Sequence, residues 1–173
     1  MTANVISFSA AISACEKGGG HLSERAISAR EKEGQWQQAL ALLEEMRNLG
    51  LTRNVITFGA AISACEKGGQ WEQAMSLLEE MCNSGLTRNL ITFSAAISAC
   101  AKGGQWERAL SLLDEMRGSG VSPDVISFSA AISACAKEAQ WERALSLLDE
   151  MRGIGVSPNV ISFSAAISAC EKG

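Results

Sequence analysis

The sequence predicts an all-α fold, a right-handed superhelical solenoid of stacked helical hairpins. Two observations carry the prediction. Trp36, Trp71, Trp106 and Trp141 stand 35 residues apart, and Met46, Met81, Met116 and Met151 keep the same step. The string NVISFSAAISAC at Asn4 returns as NVITFGAAISAC at Asn54, NLITFSAAISAC at Asn89, DVISFSAAISAC at Asp124 and NVISFSAAISAC at Asn159. A period of this length is the mark of a repeat array, in which each unit buries its apolar face only against its neighbours.

The unit from Val55 to Asn89 shows the elements in order. Thr57 is expected to be the N-cap of a first helix. Phe58, Ala61, Ile62 and Cys65 follow at helical spacing. Lys67-Gly68-Gly69 ends that helix, with a cation and a left-handed turn residue at its C-terminus. Gln70 opens the second helix, in which Trp71, Ala74, Leu78 and Met81 form one apolar face and Glu79 and Glu80 fall on the other. Asn83-Ser84-Gly85 closes it.

Repetition sets the organisation. A half repeat, first helix only, covers 4–18. A degenerate repeat covers 20–54, in which Gly20-His21-Leu22-Ser23-Glu24 replaces the usual opening. Repeats follow at 55–89, 90–124 and 125–159, and a second half repeat at 160–173, all in one solenoid domain. The first two strings are 50 rather than 35 residues apart, so one second helix is missing near the start.

Composition excludes several classes. The chain has 173 residues, 47% of them apolar, with 2 prolines, too apolar for a disordered segment. No stretch approaches the roughly 20 apolar residues of a membrane span. Met1-Thr2-Ala3-Asn4 shows no basic or Arg-rich leader, so no transit peptide is visible. The net charge of −4 advertises no global field for nucleic acid, although a local basic row is compatible with it. Of the 6 cysteines, Cys15, Cys65, Cys100, Cys135 and Cys170 share one repeat position and read as small buried thiols; Cys82 replaces an Arg and reads as exposed. With a single His and no C-x-x-C, no metal site is expected. A hydrolase triad lacks its base, so no catalysis and no cofactor are expected. The Trp series reads as core.

The unit VISFSAAISACAKGGQWERALSLLDEMRGSGVSPD resembles the pentatricopeptide repeat (PPR) family. The 35-residue period, the aromatic fourth residue, the Lys-Gly turn, the A-L-x-L-L-x-E-M run and the G-V-x-P-D ending carry the resemblance. It covers 20–173 in register. Arg53 and Arg88 stand where the family prefers Pro, whereas Pro123 and Pro158 fit.

The resemblance implies binding of single-stranded RNA, one repeat per nucleotide. It also implies a role in organellar RNA processing, stability or editing, in chloroplast or mitochondrion. The second residues, Ile56, Ile91, Ile126 and Ile161, would clamp the bases. The fifth and last residues would read them: Ser94 with Asp124 for guanine, Ser129 with Asn159 for adenine, and Gly59 with Asn89 with little discrimination. The result is a weak purine preference. Lys67, Lys102, Lys137 and Lys172 would meet phosphates, with Lys32 and Lys17 at the same repeat position; as plain chemistry they equally compensate helix dipoles. The alternative reading is a protein–protein interaction scaffold or a fragment of a longer PPR array, with protein partners or self-association through uncapped ends.

Overall fold

In a computed structural model the described residues are 27–173, with side chains from Gln35 onward. The half repeat at 4–18, the opening of the repeat at 20–54, and Cys15, Lys17, His21 and Glu24 lie outside them, as does the side chain of Lys32. Among the described residues there are eight α-helices: α1 (Ile27–Asn48), α2 (Val55–Lys67), α3 (Trp71–Asn83), α4 (Leu90–Lys102), α5 (Trp106–Gly118), α6 (Val125–Lys137), α7 (Trp141–Gly153) and α8 (Val160–Lys172). They fall into two compact units that divide between Arg88 and Asn89.

Each first helix opens on a capping box. Asn54 is the N-cap of α2, its side chain accepting from the Thr57 N–H at 3.0 Å while Thr57 Oγ1 accepts from the Asn54 N–H at 2.9 Å. Asn89 with Thr92, Asp124 with Ser127 and Asn159 with Ser162 repeat it. The sequence reading placed the cap at Thr57. The helix starts three residues earlier because the Asn amide reaches the orphan N–H that the hydroxyl was expected to cover, and Thr57 returns the bond.

The turn between paired helices is a Schellman motif. The Gln70 N–H bonds the Cys65 carbonyl at 2.9 Å across Gly69, whose φ of +71° suits only a residue without a Cβ. Gly104 does the same before α5. Ala139 holds that place before α7 at φ +54°, the one non-glycine with positive φ among the described residues. In α1 the matching Lys32-Glu33-Gly34 is helical throughout, so that helix runs unbroken for 22 residues.

In the first unit α1 and α3 both pack on α2. In the second unit α4, α6 and α8 lie side by side as one layer, with α6 in the middle. There α5 packs on α4 and α6, and α7 packs on α6 and α8, forming an outer layer. The core is therefore built between layers. Phe58, Ile62 and Cys65 of α2, Phe93, Ile97 and Cys100 of α4, and Phe128, Ile132 and Cys135 of α6 are fully buried. Met46, Met81, Met116 and Met151 meet them from the second helices, also fully buried. The tryptophans are not core. Trp36, Trp71 and Trp106 are half-buried and Trp141 is exposed. Each opens a second-helix segment at its turn end, and in the first unit Trp36 lies over Gly68, where an added Cβ would come to 2.4 Å of its Cδ1.

Candidate nucleic-acid interface

The candidate site lies along the first helices. Position two of each is exposed: Ile56, Ile91, Ile126 and Ile161 are between 59% and 65% accessible. The Phe two residues on is fully buried in the first three cases. A helix that hides its Phe and shows its Ile at the same turn has an apolar residue without a core partner. In the second unit, Ile91, Ile126 and Ile161 occupy corresponding places on the three adjacent helices of one layer.

One turn further along, Ser94 of α4 and Ser129 of α6 are buried, and neither Oγ has a hydrogen-bond partner. Unpaired buried hydroxyls cost stability, about 1–3 kcal/mol where nothing compensates. Gly59 of α2, at the same position, offers no side chain and is buried.

Asp124 and Asn159 stand at the N-termini of α6 and α8, each on the helix next to the one that carries Ser94 or Ser129. Their caps occupy part of their bonding capacity. Asp124 Oδ1 accepts from the Ile126 N–H at 3.1 Å, the Ser127 N–H at 2.9 Å and the Ser127 hydroxyl at 2.9 Å. Asn159 uses its Oδ1 on the Ser162 N–H at 3.0 Å. Asn89 caps α4 in the same way through the Thr92 N–H, at 3.0 Å.

Lys67, Lys102, Lys137 and Lys172 are all exposed, in the last turns of α2, α4, α6 and α8. The structure adds what the sequence did not show. Lys137 Nζ donates to the Lys102 carbonyl at 2.6 Å, and Lys172 Nζ donates to the Ala136 carbonyl at 3.2 Å. Each ammonium thus sits on the C-terminal end of the preceding first helix, where the macrodipole is negative. The acidic pairs Glu79-Glu80, Asp114-Glu115 and Asp149-Glu150 are on the second helices; Asp114 and Asp149 each pair with an Arg one turn on, at 2.8 and 2.9 Å.

Arg53, the departure from Pro, also finds its reason. Its guanidinium stacks 5.2 Å from the Phe58 ring centre and pairs with Glu80 at 2.5 Å. At the matching Phe and Glu seventy residues on, Arg117 of α5 makes the equivalent pair of contacts, over the Phe128 ring at 5.5 Å and with Glu150. One arrangement is served from a loop and the other from a second helix.

Cys65, Cys100 and Cys135 are free and buried. Burial pushes the Cys65 thiol up to about 12. It pushes Cys100 and Cys135 up to about 11, outweighing the opposite pull of Arg108 and Arg143. Cys82 is half-buried rather than exposed, and Cys170 is exposed. Among the described residues no cluster of His, Cys, Asp or Glu could hold a metal ion, and no helix is long and apolar enough to cross a membrane.

A profile of the PPR repeat family matches residues 53–102, 88–137 and 123–172, and a PPR repeat profile matches 31–51. The chain belongs to the PPR family. No curated protein matches it. Among solved structures, the maize PPR protein PPR10 superposes with a TM-score of 0.70 at 24% identity, over 98% of this chain and 22% of that one. PPR10 in complex with an 18-nt psaJ RNA element gives 0.71 at 26% identity, over 96% and 25%. The PPR domain of Arabidopsis thaliana protein-only RNase P 1, in complex with tRNA, gives 0.74 at 13% identity, over 98% and 81%. The PPR chain described here thus spans about a quarter or less of PPR10. These likenesses establish an all-α helical solenoid.

Proposed function

We propose that this PPR chain binds single-stranded RNA along its first helices, one repeat per nucleotide, and has no catalysis of its own. The observation that carries the reading is the exposure of Ile56, Ile91, Ile126 and Ile161 at one repeat position. An apolar side chain held in water at a fixed interval is suited to lie against the face of a base. The repeats at 55–89, 90–124 and 125–159 are the reading units, and the half repeat at 160–173 contributes its clamp residue.

Chemistry at the edges follows. The orphan hydroxyls of Ser94 and Ser129 are donors and acceptors waiting for a partner. The cap of Asp124 falls on Oδ1, which leaves Oδ2 to accept from the guanine Watson–Crick donors. Asn159 keeps its amide N–H₂ to donate to an adenine acceptor while its Oδ1 caps α8. Gly59 with Asn89 lacks one reader and tolerates several bases. The outcome is a weak preference for guanine followed by adenine. Lys67, Lys102, Lys137 and Lys172 supply the cationic edge for phosphates, and such an array suits organellar RNA processing or stabilisation, in chloroplast or mitochondrion.

Fluorescence anisotropy of labelled single-stranded oligomers, purine-rich against pyrimidine-rich, with a duplex control at low salt, tests the reading. Saturable binding to the purine strand alone is the expected result. Equal binding to all three, or to none, removes it.

A further inference from the structure

The turn before α7 departs from its counterparts twice. Elsewhere the lysine that ends a first helix is followed by glycine: Gly68 after Lys67, Gly103 after Lys102 and Gly173 after Lys172. After Lys137 stands Glu138, and Ala139 follows where the matching turns have Gly69 and Gly104.

Both changes cost stability. Ala139 is held at φ +54°, in the left-handed region that an L-residue enters at a penalty. The glycine at the place of Glu138 has a packing reason in other repeats. A Cβ on Gly68 would come to 2.4 Å of Trp36 Cδ1, and a Cβ on Gly173 to 2.4 Å of Trp141 Cδ1. Glu138 carries that Cβ, so Trp106, the matching indole, cannot lie over the turn as Trp36 and Trp141 do. Glu138 is itself exposed, so burial of its side chain does not offset the loss. Local strain without a packing return directs attention to what the side chain does.

It places a charge. The carboxylate reaches back over the preceding turn, where Oε1 lies 2.9 Å from the position of a Cβ built on Gly104. Gly104 is two residues past Lys102, and Glu138 is one past Lys137. Lys137 Nζ in turn lies on the Lys102 carbonyl, 2.6 Å away. The anion therefore stands at the edge formed by the C-terminal ends of α4 and α6, which both carry an exposed lysine. Glu66 and Glu171 precede their lysines at the place where Ala101 and Ala136 are buried, and belong to the helix rather than to the turn.

We propose that Glu138 breaks the cationic edge at the step from Lys102 to Lys137, so that a phosphodiester backbone laid along it is held less firmly there than the lysines alone would hold it. The loss falls equally on every sequence, so base contacts carry a larger share of the binding that remains.

The inference takes the nature of the polyanion from the RNA reading, and the test separates the two. The full chain is titrated with fluorescein-labelled purine-rich and pyrimidine-rich single-stranded RNA, read by anisotropy, and with inorganic polyphosphate, read by calorimetry. Glu138→Gln, which keeps the shape of the side chain, should tighten binding about threefold at low salt, the factor that one like charge roughly 7 Å from a phosphate exerts through water. The gain should be the same for both RNAs and for polyphosphate. It should shrink as the screening length falls from about 30 Å at 0.01 M salt to about 10 Å at 0.1 M. Glu138→Gly should match it. Ala139→Gly should leave affinity unchanged, since it relaxes the turn without moving a charge. Thermal unfolding checks that the variants remain folded. Polyphosphate bound in this Glu138-dependent way, with no RNA bound, would retire the RNA reading and leave the break standing. Equal affinity of the parent and Glu138→Gln for RNA and polyphosphate overturns the proposal. So does a gain in Glu138→Gly or Ala139→Gly that Glu138→Gln does not share, because the turn and not the charge is then the cause. Binding of neither probe, by parent or variants, overturns both readings.

Discussion

The ammonium of Lys137 rests on the carbonyl of Lys102, 2.6 Å away, so a residue thirty-five positions later closes the end of the previous first helix. Lys172 repeats the relationship on Ala136. A lysine so placed has two roles that mutation separates. It neutralises a helix end, worth about 0.3–1 kcal/mol, and, in the proposed RNA-binding reading, it also offers a cation to a phosphate.

Lys102→Glu combined with Lys137→Glu is therefore expected to weaken RNA binding for every sequence alike. It should lower the unfolding free energy by only about 1 kcal/mol, the scale of the dipole effect. With about four phosphate contacts the log–log salt slope of the parent should be near −3, and the double mutant should flatten it by about one to two. Titrations at several salt concentrations measure both; an unchanged slope removes the phosphate role and leaves the helix-end role.

Asp124→Asn is expected to move the preference at its nucleotide from guanine toward adenine without harming the fold. Asn and Asp are equivalent N-caps, and Asn54, Asn89 and Asn159 already serve there. Anisotropy with oligomers differing at one base reads the preference, and thermal unfolding should agree within about 0.5 kcal/mol, the scale of a conservative change. Unaltered base preference would mean that the cap position does not read.

Arg53 and Arg47 should behave non-additively. Arg47 holds the repeat position of Arg117 but pairs with Glu44 at 2.9 Å, while Arg53 occupies the site between Phe58 and Glu80. Arg53→Pro should cost little, less than about 1 kcal/mol, because Arg47 can swing into the vacated place as Arg117 does. Adding Arg47→Ala should bring the loss to about 2–3 kcal/mol, the cost of stranding a half-buried carboxylate. Urea unfolding of the two single mutants and the double mutant closes the cycle, and simple additivity would show that Arg47 is no substitute.

Ala139→Gly is expected to stabilise the chain by about 1 kcal/mol, because φ +54° costs an L-residue what it does not cost glycine. The reverse change at the matching position, Gly104→Ala, should destabilise by a similar amount. Shifts in the urea midpoint measure both, and equal midpoints would mean that the turn relaxes.

The fold class was legible because a 35-residue step in Trp, Met and the NVISFSAAISAC string admits few architectures. Helix ends were legible at glycines and less so at the starts: Thr57 drew attention because a hydroxyl looks like a cap, while Asn54 reads as a loop residue until its side chain is seen bonding the Thr57 N–H. The tryptophans misled because a large apolar residue at helical spacing belongs to the core by default, whereas Trp71, Trp106 and Trp141 each begin a helix and are half-buried or exposed. The Lys137 and Arg53 contacts were not legible at all, since each joins residues 27 to 35 positions apart through geometry that no spacing rule states. The clamp role proposed for the isoleucines came from the family pattern; periodicity alone gives no reason for an exposed Ile beside a buried Phe.

The helices α5 and α7 are identical in sequence, and α6 and α8 differ at a single residue. α7 packs on both α6 and α8, and side-chain chemistry gives it almost no reason to form its hairpin with α6 rather than α8. What chooses is tether length: the three-residue turn Glu138-Ala139-Gln140 makes α6 the first partner within reach, and loop closure over so short a segment is fast and entropically cheap. Lengthening that turn would leave the contacts untouched and remove the selection. Register-shifted and strand-swapped-like exchanges of helices between neighbouring repeats would then compete with the native pairing during folding.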